Sequence, residues 1–356
     1  MGALLALPAF AEDWPHWSAF KSGFISNDGR VVDWQEQSRT VSEGQAYALF
    51  FALVAGDRET FARLLTWTRN NLSGGDMGAT GLAWLWGHDP ETDTWGVRDS
   101  NPASDADMFV AYALLEAGRL WNQADYRVEG RAVLERIERT FLRRIGDTAV
   151  LQPGLRGFNH ADGLRTNPSY LPPFQLRRFA SQNNNPFWSE LLTERLALLR
   201  QAAPRALPPD WVLATERGYR PDPLQGTLGS YDAIRVYLWE GMESSIGRSH
   251  PLRAVLDRVS EVGYVPEQWD VATGWHTGEG PPGFQLCLAV FAERAGEPAL
   301  ARRLESRVQP LWQGGLVGRP ARYYDQVLAL FARGYREGRF RFDSQGRLRL
   351  SSPASP

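Results

Sequence analysis

The chain has 356 residues, with 39 basic and 41 acidic side chains, a formal charge of -2 and no long block of like charge. That balance excludes the electrostatic footprint of a nucleic-acid or anionic-membrane binder and leaves a neutral polymer open as a partner. Cys287 is the only cysteine, which rules out an intrachain disulfide and a cysteine-rich metal site.

In chain order, the first segment, Met1 to Asp13, is an apolar run closed by Ala9-Phe10-Ala11. It reads as the end of an export signal cleaved after Ala11, lacking the usual basic start, and so predicts a periplasmic or secreted protein. No other segment has the roughly 18 unbroken apolar residues of a membrane-spanning helix, so stable membrane insertion is not expected. From Trp14 onward apolar residues recur at spacings of three and four, and strand-like alternation is scarce. The pattern predicts helices over 14–24, 42–55, 57–72, 104–121, 125–144, 169–181, 186–201, 230–243, 249–262, 282–295, 297–308 and 321–336, broken at Gly, Pro, Asn or Asp.

Short links, such as 55–57 and 295–297, alternate with long connections at 73–103, 145–168, 202–229 and 262–281. If the short links form helical hairpins, six pairs close into an all-α, (α/α)6 toroid with every long connection at one mouth. Long connections in a compact domain usually carry function. Beyond Arg339 the sequence predicts a short β-hairpin turning at Gln345-Gly346. The expected division is 1–11 export remnant, 12–340 catalytic barrel and 341–356 hairpin and tail. No repeat is visible in residue identity.

In the toroid the inner helices start just after long connections, so their first-turn residues gather at one opening. Glu43 follows Ser42, Asp105 and Asp107 follow Ser104, and Asp232 follows Ser230-Tyr231. Acids at helix starts also arise from capping and the macrodipole, each worth about 0.3–1 kcal/mol. Three helices delivering acids to one end nevertheless suit two-carboxylate chemistry. Glu43, beside Gly44, Ala46, Tyr47 and Phe50, has neighbours that would desolvate it and raise its pKa towards a proton donor's. The 14 tryptophans exceed the usual need of a core, and flat rings suit the C–H faces of sugars; Trp84 and Trp86, on 73–103, are the candidate platforms. Tyr47, Tyr323 and Tyr324 are candidates for the same cleft, and Arg235, three residues beyond Asp232, is placed to pair with a carboxylate.

The run Ala103-Ser104-Asp105-Ala106-Asp107-Met108-Phe109-Val110 and onward to Trp121 resembles the signature of family-eight glycoside hydrolases. The resemblance extends to Ser42-Glu43-Gly44-Gln45-Ala46-Tyr47, Ala83-Trp84-Leu85-Trp86-Gly87, Asn167-Pro168-Ser169-Tyr170, Ser230-Tyr231-Asp232-Ala233-Ile234-Arg235, Asp270-Val271-Ala272-Thr273-Gly274 and Arg339-Phe340-Arg341-Phe342. It covers nearly the whole chain, departing at Val110, where Ile or Met is usual. It implies an (α/α)6 barrel and inverting hydrolysis, with Glu43 as general acid and Asp232 as general base. It further implies that Asp105 binds the sugar at the cleavage point, that Tyr170 and Arg235 hold the water and orient the base, and that no cofactor or metal is needed. Within the family it leans towards bacterial cellulases that accompany cellulose synthesis. That implies a β-1,4-glucan chain as partner and a functional link to a membrane cellulose synthase complex.

Relatives in the same family act on xylan, chitosan or mixed-linkage glucan. From the residues alone a non-catalytic glucan-binding protein, a lyase on the same toroid, and a zinc enzyme are the rivals. The last lacks a ligand set with metal spacing.

Overall fold

The structure is a computed structural model that describes residues 14–183, 185–243 and 246–350. The expected export remnant at 1–11 and the end of the tail lie outside the described residues. Twelve α-helices occur among them: α1 Pro15–Phe24, α2 Ser42–Val54, α3 Arg58–Leu72, α4 Ser104–Leu120, α5 Ala124–Phe141, α6 Pro173–Ala180, α7 Phe187–Ala202, α8 Ala233–Gly241, α9 Val255–Val262, α10 Pro282–Arg294, α11 Pro298–Val308 and α12 Tyr323–Arg336. Each corresponds to a predicted segment, and the larger shifts have local causes. The helix expected over 169–181 is divided at Pro172-Pro173 into a 3₁₀ turn, Pro168–Tyr170, and the short α6, because the residue before a proline avoids helical dihedrals. The one expected over 249–262 begins only at Val255, beyond Pro251.

α2, α4, α8, α10 and α12 are buried on almost every side, and α6 over most of its length. Helices without a polar face belong inside. α3, α5, α9 and α11 bury only a stripe, such as Phe61, Leu64, Leu65, Thr68 and Leu72 on α3. In space α2 packs on α4, α4 on α6, α6 on α8, α8 on α10, α10 on α12, and α12 back on α2, which closes a ring. α3, α5, α7 and α11 each lie against the inner helix that precedes them, and α1 lies against α12. Aromatic side chains fill the axis: Tyr47 meets Phe109 edge-on at 4.7 Å and Phe331 at 5.0 Å, and Trp239 meets Phe331 at 5.1 Å. Among the described residues no helix is long and apolar enough to cross a membrane.

The all-α expectation requires a correction. The long connections fold into small antiparallel sheets, including a hairpin of Ala83–Asp89 with Thr94–Pro102 and a four-stranded sheet spanning 159–221. Thr94–Pro102 is exposed along most of its length, Ala83–Asp89 is mostly half-buried and Val212–Thr215 is buried throughout, so the alternation that marks a half-buried strand is missing from them. Strands lead directly into the inner helices: Thr40–Val41 into α2, Thr94–Pro102 into α4, Leu228–Gly229 towards α8 and His276–Glu279 towards α10.

The predicted C-terminal hairpin is present, pairing Phe340–Phe342 with Leu348–Leu350; the expected boundary at 341 falls inside its first strand. It fills the end of the ring where α4 finishes. Phe342 stacks on Phe174 with ring centroids 3.9 Å apart, and Tyr112 donates its hydroxyl to the Gly346 carbonyl at 2.8 Å. Gly346 has φ +70, and a Cβ there would stand 1.9 Å from the Phe174 carbonyl oxygen; glycine is required on both counts. Glu116, fully buried, accepts from Arg178 Nε at 2.5 Å and from the Leu348 amide at 2.8 Å. Glu116→Ala would strand the buried Arg178 charge and release the hairpin. We expect about 3–5 kcal/mol of lost stability in urea unfolding, with kcat below the melting range unchanged because the change lies at the opposite end from the cavity described next.

Candidate active site

The helical ring places different residues of one first turn to opposite sides. Successive residues rotate by roughly 100°, so the second and fourth residues of a helix point in nearly opposite directions. In α2, α4 and α12 the second residues are Glu43, Asp105 and Tyr324, and all three line one cavity of about 610 Å³ at the N-terminal mouth of the ring. The fourth residues face away and grip the incoming backbone. Gln45 accepts from the Val31 amide at 2.5 Å, Asp107 from Leu82 at 3.2 Å, and Gln326 from Val317 at 2.9 Å. Gln285, fourth in α10, does the same for Val265 at 2.9 Å. Asp107 is thus structural, and its second oxygen pairs with the buried Arg136 at 2.9 Å.

Arg235 is the centre of the cavity floor. It is 3% exposed, and its guanidinium donates through Nη1 to Glu43 Oε2 and through Nη2 to Asp232 Oδ1 at 2.5 Å and Ser169 Oγ at 3.0 Å. One cation therefore joins carboxylates carried by α2 and by the start of α8. Tyr323 donates to the other Glu43 oxygen at 3.4 Å. Gly44 admits that contact, since a Cβ there would lie 3.0 Å from the Tyr323 hydroxyl. Tyr170 reaches the cavity from the 3₁₀ turn that stands before α6, with Arg235 6.0 Å from its ring centroid.

Three acids around one cation cannot all ionise cheaply. Burial raises Glu43 above the ordinary glutamate range; Arg235 opposes that shift and Asp232 adds to it. Burial, with Glu43 contributing against the pull of Arg235, pushes Asp105 up to about 7. Asp105 is 6% exposed and its Oδ1 has no protein partner, so it presents a ready group to a ligand hydroxyl. Asp232 is the most open of the three, with 28% of its side chain exposed against 18% for Glu43. Of Glu43 and Asp232, Glu43 is therefore the deeper group, and burial favours its protonated form. Burial raises Tyr170, Tyr323 and Tyr324 as well, leaving neutral hydroxyls. Burial alone would lower Arg235, but it remains charged, with its carboxylate partners Glu43 and Asp232 holding it up.

Of the residues singled out in the sequence, Glu43, Asp232, Asp105, Tyr170, Arg235, Trp84, Tyr323 and Tyr324 all line this cavity. Two do not. Tyr47, 1% exposed, lies one helical turn below Glu43 and supports Arg235 from beneath at 3.5 Å. Trp86 packs edge-on to Trp67 at 5.3 Å and stacks on Trp95 at 5.4 Å, under Arg30. Trp84 and Trp86 lie on a strand and not on an irregular loop, and register shifts at Leu85 separate their directions, as bulges do. Trp84 is anchored by a hydrogen bond to Asp99, whose carboxyl it holds below the usual range. Sequence reasoning missed Ser169, the third acceptor of Arg235, and Asp210, whose carboxylate takes the amide of Asp232 at 3.1 Å.

The raised Asp105 carboxyl has a thermodynamic consequence. Unfolded, it ionises near its ordinary value of 3.8; folded, it does so only at about 7. Its burial therefore costs nothing in acid and costs increasingly more as pH rises between those values. Asp105→Asn is expected to stabilise the fold at about pH 7.5 by on the order of 2 kcal/mol, and to give no such gain near pH 4. Urea unfolding at the two pH values tests this; a variant destabilised at neutral pH would contradict the assignment.

The profile of the glycosyl hydrolases family 8 matches residues 1–338. An endoglucanase from Salmonella typhi is 42% identical over 94% of this chain and 90% of its own length. One from Xanthomonas axonopodis pv. citri (strain 306) is 40% identical over 97% and 91%. The crystal structure of an endo-1,4-D-glucanase from Vibrio fischeri ES114 superposes with a TM-score of 0.85 at 34% identity, covering 95% of this chain and 99% of that one. By the length matched and the identity of these relatives, the chain belongs to glycosyl hydrolases family 8.

Proposed function

We propose that this protein is an endo-β-1,4-glucanase that hydrolyses cellulose-like glucan with inversion at the anomeric carbon, on an (α/α)6 barrel formed by residues 12–340. The observation that carries this reading is the pair Glu43 and Asp232, brought from separate helices to one cavity and joined through Arg235. The endoglucanase relatives supply the substrate class.

In this reading Glu43, kept protonated by burial, gives its proton to the glycosidic oxygen as the C1–O bond breaks. Asp232, ionised, takes a proton from a water that attacks C1 from the opposite face. The oxygen of that water ends on C1, the leaving chain gains a free 4-hydroxyl, and the proton lost by Glu43 is balanced by the one gained at Asp232. Asp105 holds a hydroxyl of the sugar that becomes positively charged, and Trp84 offers a face for the neighbouring ring. Arg235 touches both carboxyls, so the transfer moves charge from one of its partners to the other and leaves its own environment nearly neutral throughout. The proton acquired by Asp232 leaves through its open side.

We extend the proposal to a periplasmic or secreted location, supported by the apolar leader Met1 to Asp13. The cellulase-like motifs support a functional link to a membrane cellulose synthase complex.

Glu43→Gln and Asp232→Asn are each expected to lower kcat on carboxymethylcellulose by at least about 10³-fold, within the range of acid–base assistance, while circular dichroism and glucan affinity stay near those of the parent. Full activity in either folded variant removes its role. Separately, proton NMR of the first product should show the α-anomer; β-anomer appearing first contradicts inversion.

A further inference from the structure

The inner helices deliver their carboxyls in two ways. Glu43 and Asp105 are second residues, held inside the hydrogen-bonded turn of α2 and α4. Asp232 stands one place before α8, at its N-cap, and makes no capping bond because its side chain is turned to Arg235. A residue in that position is held by little of its own helix, since the first amides of a helix have no internal partner. Here those amides are collected by one remote atom. Asp210 Oδ1 accepts from the amides of Ser230 at 2.8 Å, Asp232 at 3.1 Å and Ala233 at 2.7 Å.

Asp210 is itself fixed. It is 5% exposed, and its own amide donates to the Leu228 carbonyl at 2.8 Å. The next residue, Trp211, packs edge-on to the cavity-lining Tyr170 at 6.0 Å. The comparable contact on α10 is a single bond, from the Gly283 amide to Asp325 at 2.8 Å, and α10 carries no acid at its start. The triple clamp is found where the reacting aspartate precedes its helix, tied to α8 through Arg235, whose amide donates to the Asp232 carbonyl at 3.1 Å and whose guanidinium holds its side chain.

We propose that Asp210 is a positioning residue for hydrolysis, setting through its three amide contacts the height at which the Asp232 carboxylate meets the attacking water. This rests on the assignment of Asp232 as base. Burial and the nearby Asp232 push Asp210 up to about 7, against the pull of its amide donors. The hold therefore depends on the Oδ1 acceptor, which the acid and its anion both offer, and not on a full charge.

That distinction defines the test. Asp210→Asn keeps an acceptor of the same length; Asp210→Ala removes it; Asp210→Glu keeps both acceptor and charge but displaces the turn by a methylene. A displacement near 1 Å at a reacting group costs about 10²-fold. With a soluble cello-oligosaccharide, we expect Asn to retain kcat within about threefold, and Ala and Glu to lose about 30- to 100-fold in kcat with KM moved less than about threefold. Thermal melts would confirm that each protein is folded. Wild-type kcat in folded Asp210→Glu or Asp210→Ala overturns the proposal, as does an Asn variant as slow as Ala. Should Ala fail to fold, the Glu and Asn variants decide. Asp232→Asn run beside them separates the two claims. Activity retained there withdraws the base assignment itself, whereas an inactive Asp232→Asn beside a fully active Asp210→Glu removes only the positioning role.

Discussion

Everything at the cavity depends on one buried guanidinium. Arg235 lies among Glu43, Asp232 and Ser169 with almost no access to water, and a charge so placed is tolerable only when its partners are close and well aligned. Those partners in turn need it: without a cation between them, the two carboxyls would face each other in the cleft with nothing to offset their repulsion. The single positive charge lies between a deeper carboxyl, Glu43, whose proton burial favours, and a more open one, Asp232. This unequal pair is what hydrolysis by acid and base requires.

The ring architecture explains how such a pair is held. Fourth-position side chains on α2, α4, α10 and α12 pin the entering backbone, which fixes the start of these inner helices, and on α2, α4 and α12 the second position of the same turn then lines the cavity. The opposite end is closed by the C-terminal hairpin, through Glu116, Tyr112 and the Phe342–Phe174 stack. The mouth, by contrast, carries an unpartnered Asp105 oxygen and several acids raised by burial, a local loss of stability of the kind that functional sites show.

Much of this was legible in the sequence, for physical reasons. Helices with 3.6-residue periodicity and glycine or proline breaks announce themselves, and acids in successive first turns marked Glu43, Asp105 and Asp232. Rotation about an axis is harder to read. Tyr47 shares a helix face with Glu43 but lies a turn deeper, where the ring has closed; Trp86 shares a strand with Trp84 but lies beyond a register shift. The sheets escaped notice because several of their strands show no regular alternation, Thr94–Pro102 being largely exposed and Val212–Thr215 wholly buried. Asp210 carries no local signal, since its partners are 20 to 23 residues away. The fourth-position clamps use Gln, Asp, Gln and Gln, a pattern that shows only after the helices are superposed by position.

The central claim is spatial: a scissile linkage lies between Glu43 and Asp232, with a water on the aspartate side. A crystal structure of the Glu43→Gln protein with a bound cello-oligosaccharide measures it directly. The account requires the residue-43 side chain within about 2.6–3.2 Å of a glycosidic oxygen, and a water between Asp232 and the anomeric carbon. A chain bound elsewhere, or an Asp232 oxygen in direct contact with the anomeric carbon and no room for water, would contradict it.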